Sequence, residues 1–143
     1  MKLHQLSIFV ENKPGALSAP CKLLAEHKIN LETLSLADTK YFGVLRLLVK
    51  DWEKAKCLLE SNGFTVKVTE VVAVEVDHLS GNLSQVLQVL DESALNVEYM
   101  YAFPAVKEKG KAALIFRFDE PDTAIEKLVA NNKISILNHT DLF

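Results

Sequence analysis

Cysteine is scarce in this chain of 143 residues, which holds only Cys21 and Cys57, both on segments with helical spacing and without a partnering motif. That argues against a secreted disulfide framework. The expectation is two buried thiols in a reducing, cytoplasmic compartment. Excess charge is lacking as well: 16 Lys and Arg stand against 19 Asp and Glu, a net charge of −3. No basic field is offered to a polyphosphate backbone, so a nucleic-acid partner is not expected. No apolar run reaches the roughly 20 residues that a membrane span needs. The start, Met1-Lys2-Leu3-His4-Gln5, lacks a signal-peptide pattern and runs straight into a strand. No nucleophile stands beside a base, no acid pair recurs at useful spacing, and no extended glycine loop for phosphate appears. His4, His27 and His139 have no ligand-type spacing with one another or with carboxylates. These absences predict a chain without catalysis, metal, cofactor or membrane partner.

What the chain does contain, it contains twice. Val10-Glu11-Asn12-Lys13-Pro14-Gly15-Ala16-Leu17-Ser18 is answered by Val76-Asp77-His78-Leu79-Ser80-Gly81-Asn82-Leu83-Ser84. The same shift of about 66 positions, Gly15 to Gly81, lays Ile29-Asn30-Leu31-Glu32 onto Leu95-Asn96-Val97-Glu98. Two modules follow, at 1–70 and 71–143, each too small for a robust core of its own.

In the first copy, Leu6, Ile8 and Val10 alternate as a half-buried strand. Asn12 to Gly15 turn the chain. Leu17, Cys21 and Leu24 then recur at helical spacing, with Pro20 loosening the first turn and Ser18 as a secondary cap. Residues 29–37 and 42–49 read as strands. Asp51 caps a helix through Ser61, Asn62-Gly63 stops it, and 64–72 returns as a strand. The second copy repeats this order. Val72, Val74 and Val76 open it, and Leu83, Val86, Leu87 and Leu90 form a helical stripe. Strands are expected at 95–103 and 112–118, a helix with Pro121 in its first turn, a stop at Asn131-Asn132, and a closing strand from Lys133 to Leu137. The connection from Pro104 to Gly110 is longer than its counterpart by three residues. The fold class is α+β: two ferredoxin-like βαββαβ modules, each an antiparallel sheet with helices on one face. Joining them side by side into eight strands would remove two edges. Apolar surface left on the open face would favour a homodimer.

The combination of a strand, Asn12-Lys13-Pro14-Gly15-Ala16-Leu17, a helix and a strand opening on Ile29-Asn30-Leu31 resembles the ACT domain. The resemblance covers the whole chain as two tandem copies, like small stand-alone ACT proteins that regulate amino-acid metabolism. It implies a free amino acid as ligand, held at an ACT–ACT interface, with an enzyme of amino-acid metabolism as the regulated partner. In ACT domains of the phosphoglycerate dehydrogenase type, an Asn of the first loop and an Asn opening the second strand of the neighbouring domain grip the ligand. By position, these correspond to Asn12 and Asn30, with Pro14, Gly15, Ala16 and Leu17 lining the loop. The second copy supplies a weaker set: His78, Gly81, Asn82, Leu83 and Asn96. There His78 replaces Asn12 and Ser80 replaces Pro14, so the first site is the expected one. A zwitterion suits such groups: peptide N–H donors at a helix start favour a carboxylate, and an Asn amide both donates and accepts.

Each residue has a structural alternative. Asn12 could organise the turn or cap the helix, Asn30 could satisfy a connection, and His78 could simply be solvated. Tyr99, Tyr101 and Phe103 alternate on one strand face and read as core or interface packing rather than a base-stacking platform. A protein-interaction module with empty pockets remains the alternative function.

Overall fold

The computed structural model describes residues 1–38, 40–104, 109–132 and 134–143. Two compact units emerge, one of residues 4–69 with Phe143 and one of residues 1–3 and 70–142.

The first repeat runs β1 (Lys2–Glu11), α1 (Ser18–Glu26), β2 (Thr33–Asp38), β3 (Phe42–Leu48), α2 (Trp52–Ser61) and β4 (Thr65–Asp77). Its antiparallel strands lie in the order β2-β3-β1-β4. Leu6, Ile8, Leu45 and Leu47 bury one sheet face against Leu24 of α1 and Ala55 and Leu59 of α2. The second repeat begins within β4 and continues through α3 (Asn82–Glu92), β5 (Val97–Pro104), β6 (Lys111–Phe118), α4 (Pro121–Val129) and β7 (Ser135–Leu137). Its order, β5-β6-β4-β7, is the same pattern. Val72, Val74, Leu114, Phe116 and Phe118 pack there against Val86, Leu90, Ala124 and Leu128. Both modules are therefore ferredoxin-like.

Registers match layer by layer. Leu6 and Leu34 flank Leu47 just as Val72 and Met100 flank Phe116. The ends of α1 and α3 match as well. Lys28 and Ala94 both take positive φ, at 57° and 53°. At each, the following amide (Ile29, Leu95) bonds the carbonyl five residues back (Leu24, Leu90) at 3.0 Å, a Schellman stop built without glycine.

The structure corrects several expectations. Strands number seven among the described residues rather than eight, because 65–77 holds neither Gly nor Pro and stays one strand. β2 starts at Thr33 and β5 at Val97, since Ile29, Leu31 and Leu95 pack on the cores from the connections instead. Pro20 does not disrupt α1: it sits third in the helix, where an N–H would have no intrahelical acceptor anyway. Leu17 and Leu83 are not core residues, each being 41% exposed at a helix start. Cys57 is exposed and Cys21 only half-buried, where burial pushes the Cys21 thiol up and keeps it protonated. The other sheet face is not bare, since Ala73, Ala113 and Ile115 are fully buried. The last residues form α5 (His139–Leu142) with Leu142 buried. Asp51 does cap α2, accepting from the Lys54 amide, and Gly63 is left-handed at φ +85°. The expected start of the closing strand at Lys133, and most of the 104–110 connection, lie outside the described residues.

Candidate functional site

The two loops that precede α1 and α3 are built on one backbone plan. The amide of Asn12 donates to the Tyr41 carbonyl at 3.1 Å, and that of His78 donates to Gly110 at 2.7 Å. Next, Lys13 bonds back to Glu11 (3.0 Å) and Leu79 to Asp77 (2.8 Å). Ala16 bonds Lys13, as Asn82 bonds Leu79; Ala19 bonds Gly15, as Gln85 bonds Gly81. Gly15 and Gly81 hold φ of +85° and +94°, a region that L side chains enter only at a cost. Glycine at this offset is therefore a requirement of the turn, and both copies meet it.

Side chains close the loops differently. The Ser18 hydroxyl donates to the Gly15 carbonyl, while the Asn82 amide nitrogen donates to the Asp77 carbonyl at 2.8 Å. Neither helix start carries a side-chain cap bond, so Asn12 does not cap α1. Asn12, Pro14, Asn30, His78 and Asn96 are exposed and Ala16 is half-buried. Asn12 and Asn30 stand at opposite ends of α1, whose nine residues span about 13 Å at ~1.5 Å per residue. One module does not bring the two amides together.

Among the described residues, three cavities adjoin these loops. In the first repeat a cleft of about 370 Å³ is lined by Phe9, Val10, Lys13, Ala16, Phe42 and Phe64 among others. The corresponding place in the second repeat is a polar cavity of about 340 Å³ with Glu75, Asp77, Asn82, Gln85, Lys111 and Asn131 in its wall. Lys111 and Glu75 are ion-paired there at 2.9 Å. Beyond the same loop lies a larger, mostly apolar cavity of about 600 Å³, between residues 76–83 and the facing ends of β5 and β6. It takes in His78, Gly81, Asn82 and Leu83, with Ala102, Phe103, Ala112 and Leu114 behind them. Asn96 is not part of it. Of these wall residues on β5 and β6 the sequence marks Phe103 alone, as packing; the substitution of Ala102 for Leu36 under the repeat shift is the signal for the others.

Tyr99, Tyr101 and Phe103 are half-buried. They lie outside the helix-facing core, which Val97 and Met100 join instead. Among the described residues, no group of three or more His, Cys, Asp or Glu side chains is arranged to hold a metal ion. No helix among them is long and apolar enough to cross a membrane.

Two ferredoxin-like modules in tandem, each with a glycine turn before its first helix, define a class of α+β domain pairs. A family model described as an ACT domain pair matches residues 1–143, and the chain belongs to that family. The resemblance read from Asn12–Leu17 and Ile29-Asn30 thus holds across the whole chain. The chain is similar to protein BT0572 from Bacteroides thetaiotaomicron at 37% identity, covering 99% of this chain and 96% of that one with a TM-score of 0.91. In fold it is similar to the ligand-free regulatory subunit of aspartate kinase from Thermus thermophilus, at 14% identity, 89% and 91% coverage and a TM-score of 0.64. The aspartate kinase regulatory subunit from Thermus flavus gives 14% identity, 87% and 88% coverage and a TM-score of 0.61. No curated protein matches the chain.

Proposed function

We propose that this ACT domain pair is a non-catalytic, cytoplasmic sensor of a free amino acid, with modules at 1–70 and 71–143. The observation that carries this reading is the duplicated loop, whose left-handed glycine and backbone bonds recur at Gly15 and Gly81. Each loop sets peptide N–H groups of a helix start beside polar side chains, a setting that favours a ligand carboxylate. Asn12 and Asn30 are too far apart to share a ligand within one module. A ligand gripped by both kinds of Asn would therefore sit at an ACT–ACT interface, between modules or between subunits, with the second Asn supplied by the neighbouring module.

A homodimer fits the exposed apolar rim of the first repeat, where Leu34, Tyr41 and Phe42 are 58%, 69% and 53% exposed. Ligand binding would favour one arrangement of the dimer, and an enzyme of amino-acid metabolism would read it. That requires different ligand affinities in the two arrangements. A thermal-shift screen of the common amino acids tests the reading. At least one amino acid raises the melting temperature, and substitution in the copy that holds it weakens the shift: Asn12→Ala or Asn30→Ala for the first, Gly81→Ala for the second. A silent screen beside a stable complex with another protein would favour an interaction module instead.

A further inference from the structure

The two repeats share a register across their central strands, and one pair of positions in it changes the shape of the helix-facing surface. Leu36 of β2 pairs with Leu45 of β3, and Ala102 of β5 pairs with Leu114 of β6 in the same place. In the first repeat Leu36 folds back over Gly43: a Cβ built on that glycine would lie 3.1 Å from the Leu36 Cδ1 and 3.2 Å from Val10. A leucine and a glycine thus interlock there. In the second repeat their counterparts are both alanine, Ala102 and Ala112, and the leucine side chain has no replacement. The space it vacates belongs to the apolar cavity of about 600 Å³, which falls in the usual range for small-molecule sites.

We propose that this cavity takes the side chain of an apolar amino acid, and that Ala102 is the residue that admits it. The proposal rests on the sensor reading and names the class of its ligand. The walls supply the argument. Val76, Ala102, Ala112, Leu114 and Leu83 offer carbon rather than hydrogen-bonding groups, so a polar side chain placed among them would lose its water without replacement. The lip is different. Asp77, His78, Ser80, Asn82 and Lys111 stand at the loop end of the same cavity, a mixture of both charges and neutral dipoles. That suits a ligand whose head is a zwitterion with no net charge. Leu36, itself 50% exposed, reaches over Gly43 into the equivalent space of the first repeat, so this cavity is expected to take one apolar amino acid per chain, in the second repeat.

Isothermal titration and thermal shift with L-leucine, L-isoleucine, L-valine, L-methionine and L-phenylalanine, against L-serine, L-aspartate and L-lysine, test the inference on the full chain. At least one of the apolar set binds and the polar set does not. Ala102→Leu puts the first repeat's residue at an exposed position, where its side chain can turn away from Ala112 into the open cavity, so the unliganded melting temperature stays close to that of the parent. It weakens binding at least tenfold, and Ala102→Val gives an intermediate loss. A polar amino acid that binds, or an apolar one indifferent to both substitutions, overturns this inference while leaving the sensor reading intact. If no amino acid binds at millimolar concentration, both are overturned.

Discussion

The first and second repeats share a framework and differ in their linings. Backbone bonds around the loops, the stops of α1 and α3 and the strand registers coincide, down to Leu17 and Leu83 at equal exposure. The surfaces those frames present do not coincide. Phe9, Ala16, Ala19 and Phe42 of the first repeat become Glu75, Asn82, Gln85 and Lys111 in the second, which turns an apolar cleft into a polar one. Across the loop the change runs the other way, as Leu36 gives place to Ala102 and opens an apolar cavity. The lesson is that polar hydrogen-bonding geometry constrains a duplicated fold more tightly than side-chain volume does. A lost backbone bond leaves buried groups unpaired, whereas cavity walls can be exchanged at modest cost.

The largest test of that comparison strikes the matched core layer. Phe116 is fully buried and stacks on Phe118 with centroids 5.5 Å apart, while its counterpart Leu47 is fully buried between Leu6 and Leu34. Phe116→Ala is expected to cost about 3–5 kcal/mol and Leu47→Ala about 2–4 kcal/mol, because each leaves a cavity that its neighbours cannot fill. Urea unfolding followed by circular dichroism measures both. A loss under about 1 kcal/mol at Phe116 would show that the second core is loosely packed and that the layers are matched in register only.

Most of this framework was legible in the sequence because its signals are local. Alternation at Leu6, Ile8 and Val10, the Asp51 cap, Asn62-Gly63 and the Gly15 and Gly81 turns each report a conformation fixed by residues close in the chain. What escaped depends on non-local packing or on the absence of a signal. The Schellman stops at Lys28 and Ala94 carry no glycine, so nothing marked them and the next strands were drawn too early. β4 looks like two strands in the sequence because the repeat suggests a break that no turn residue provides. The cavity behind Ala102 depends on a non-local fact, that β5 and β6 pair in the register of β2 and β3 with alanine in the place of a leucine.

A smaller test asks whether the two loops are equal in energy as well as in geometry. Gly15 and Gly81 both have open space around the position a Cβ would occupy, so alanine there meets no clash and only the backbone is penalised. At φ of +85° and +94° each substitution is expected to cost about 1–2 kcal/mol, roughly 2–8 °C in melting temperature for a chain of this size. Differential scanning calorimetry of Gly15→Ala and Gly81→Ala should return the same loss within ~0.5 kcal/mol. A gap several times larger would mean that one loop is held by contacts the other lacks, and the shared framework would be an overstatement.

The smallest effect belongs to a contact that only the second repeat has. Lys2 lies 3.1 Å from a Glu70 oxygen and 3.1 Å from an Asp122 oxygen, and residues 1–3 pack with that compact unit. The position equivalent to Lys2 under the repeat shift is Val68, which carries no charge. Hydrogen bonds to Asp122 and then Glu70 outweigh desolvation and raise the Lys2 ammonium above its ordinary value of 10.5. The folded chain therefore holds this proton more tightly than the unfolded chain. The contribution is fully present below the ordinary lysine value, and is lost as pH climbs through the raised one. The group is exposed, so the stabilisation is slight and screened by salt. Lys2→Met should lower the melting temperature less than either glycine substitution does at pH 7 and low salt. The gap between parent and variant should close above about pH 10.5 and again in about 1 M salt. A gap that persists in both conditions would assign the effect of Lys2 to packing of its aliphatic stem. The charge difference between the repeats would then play no part in holding the second one together.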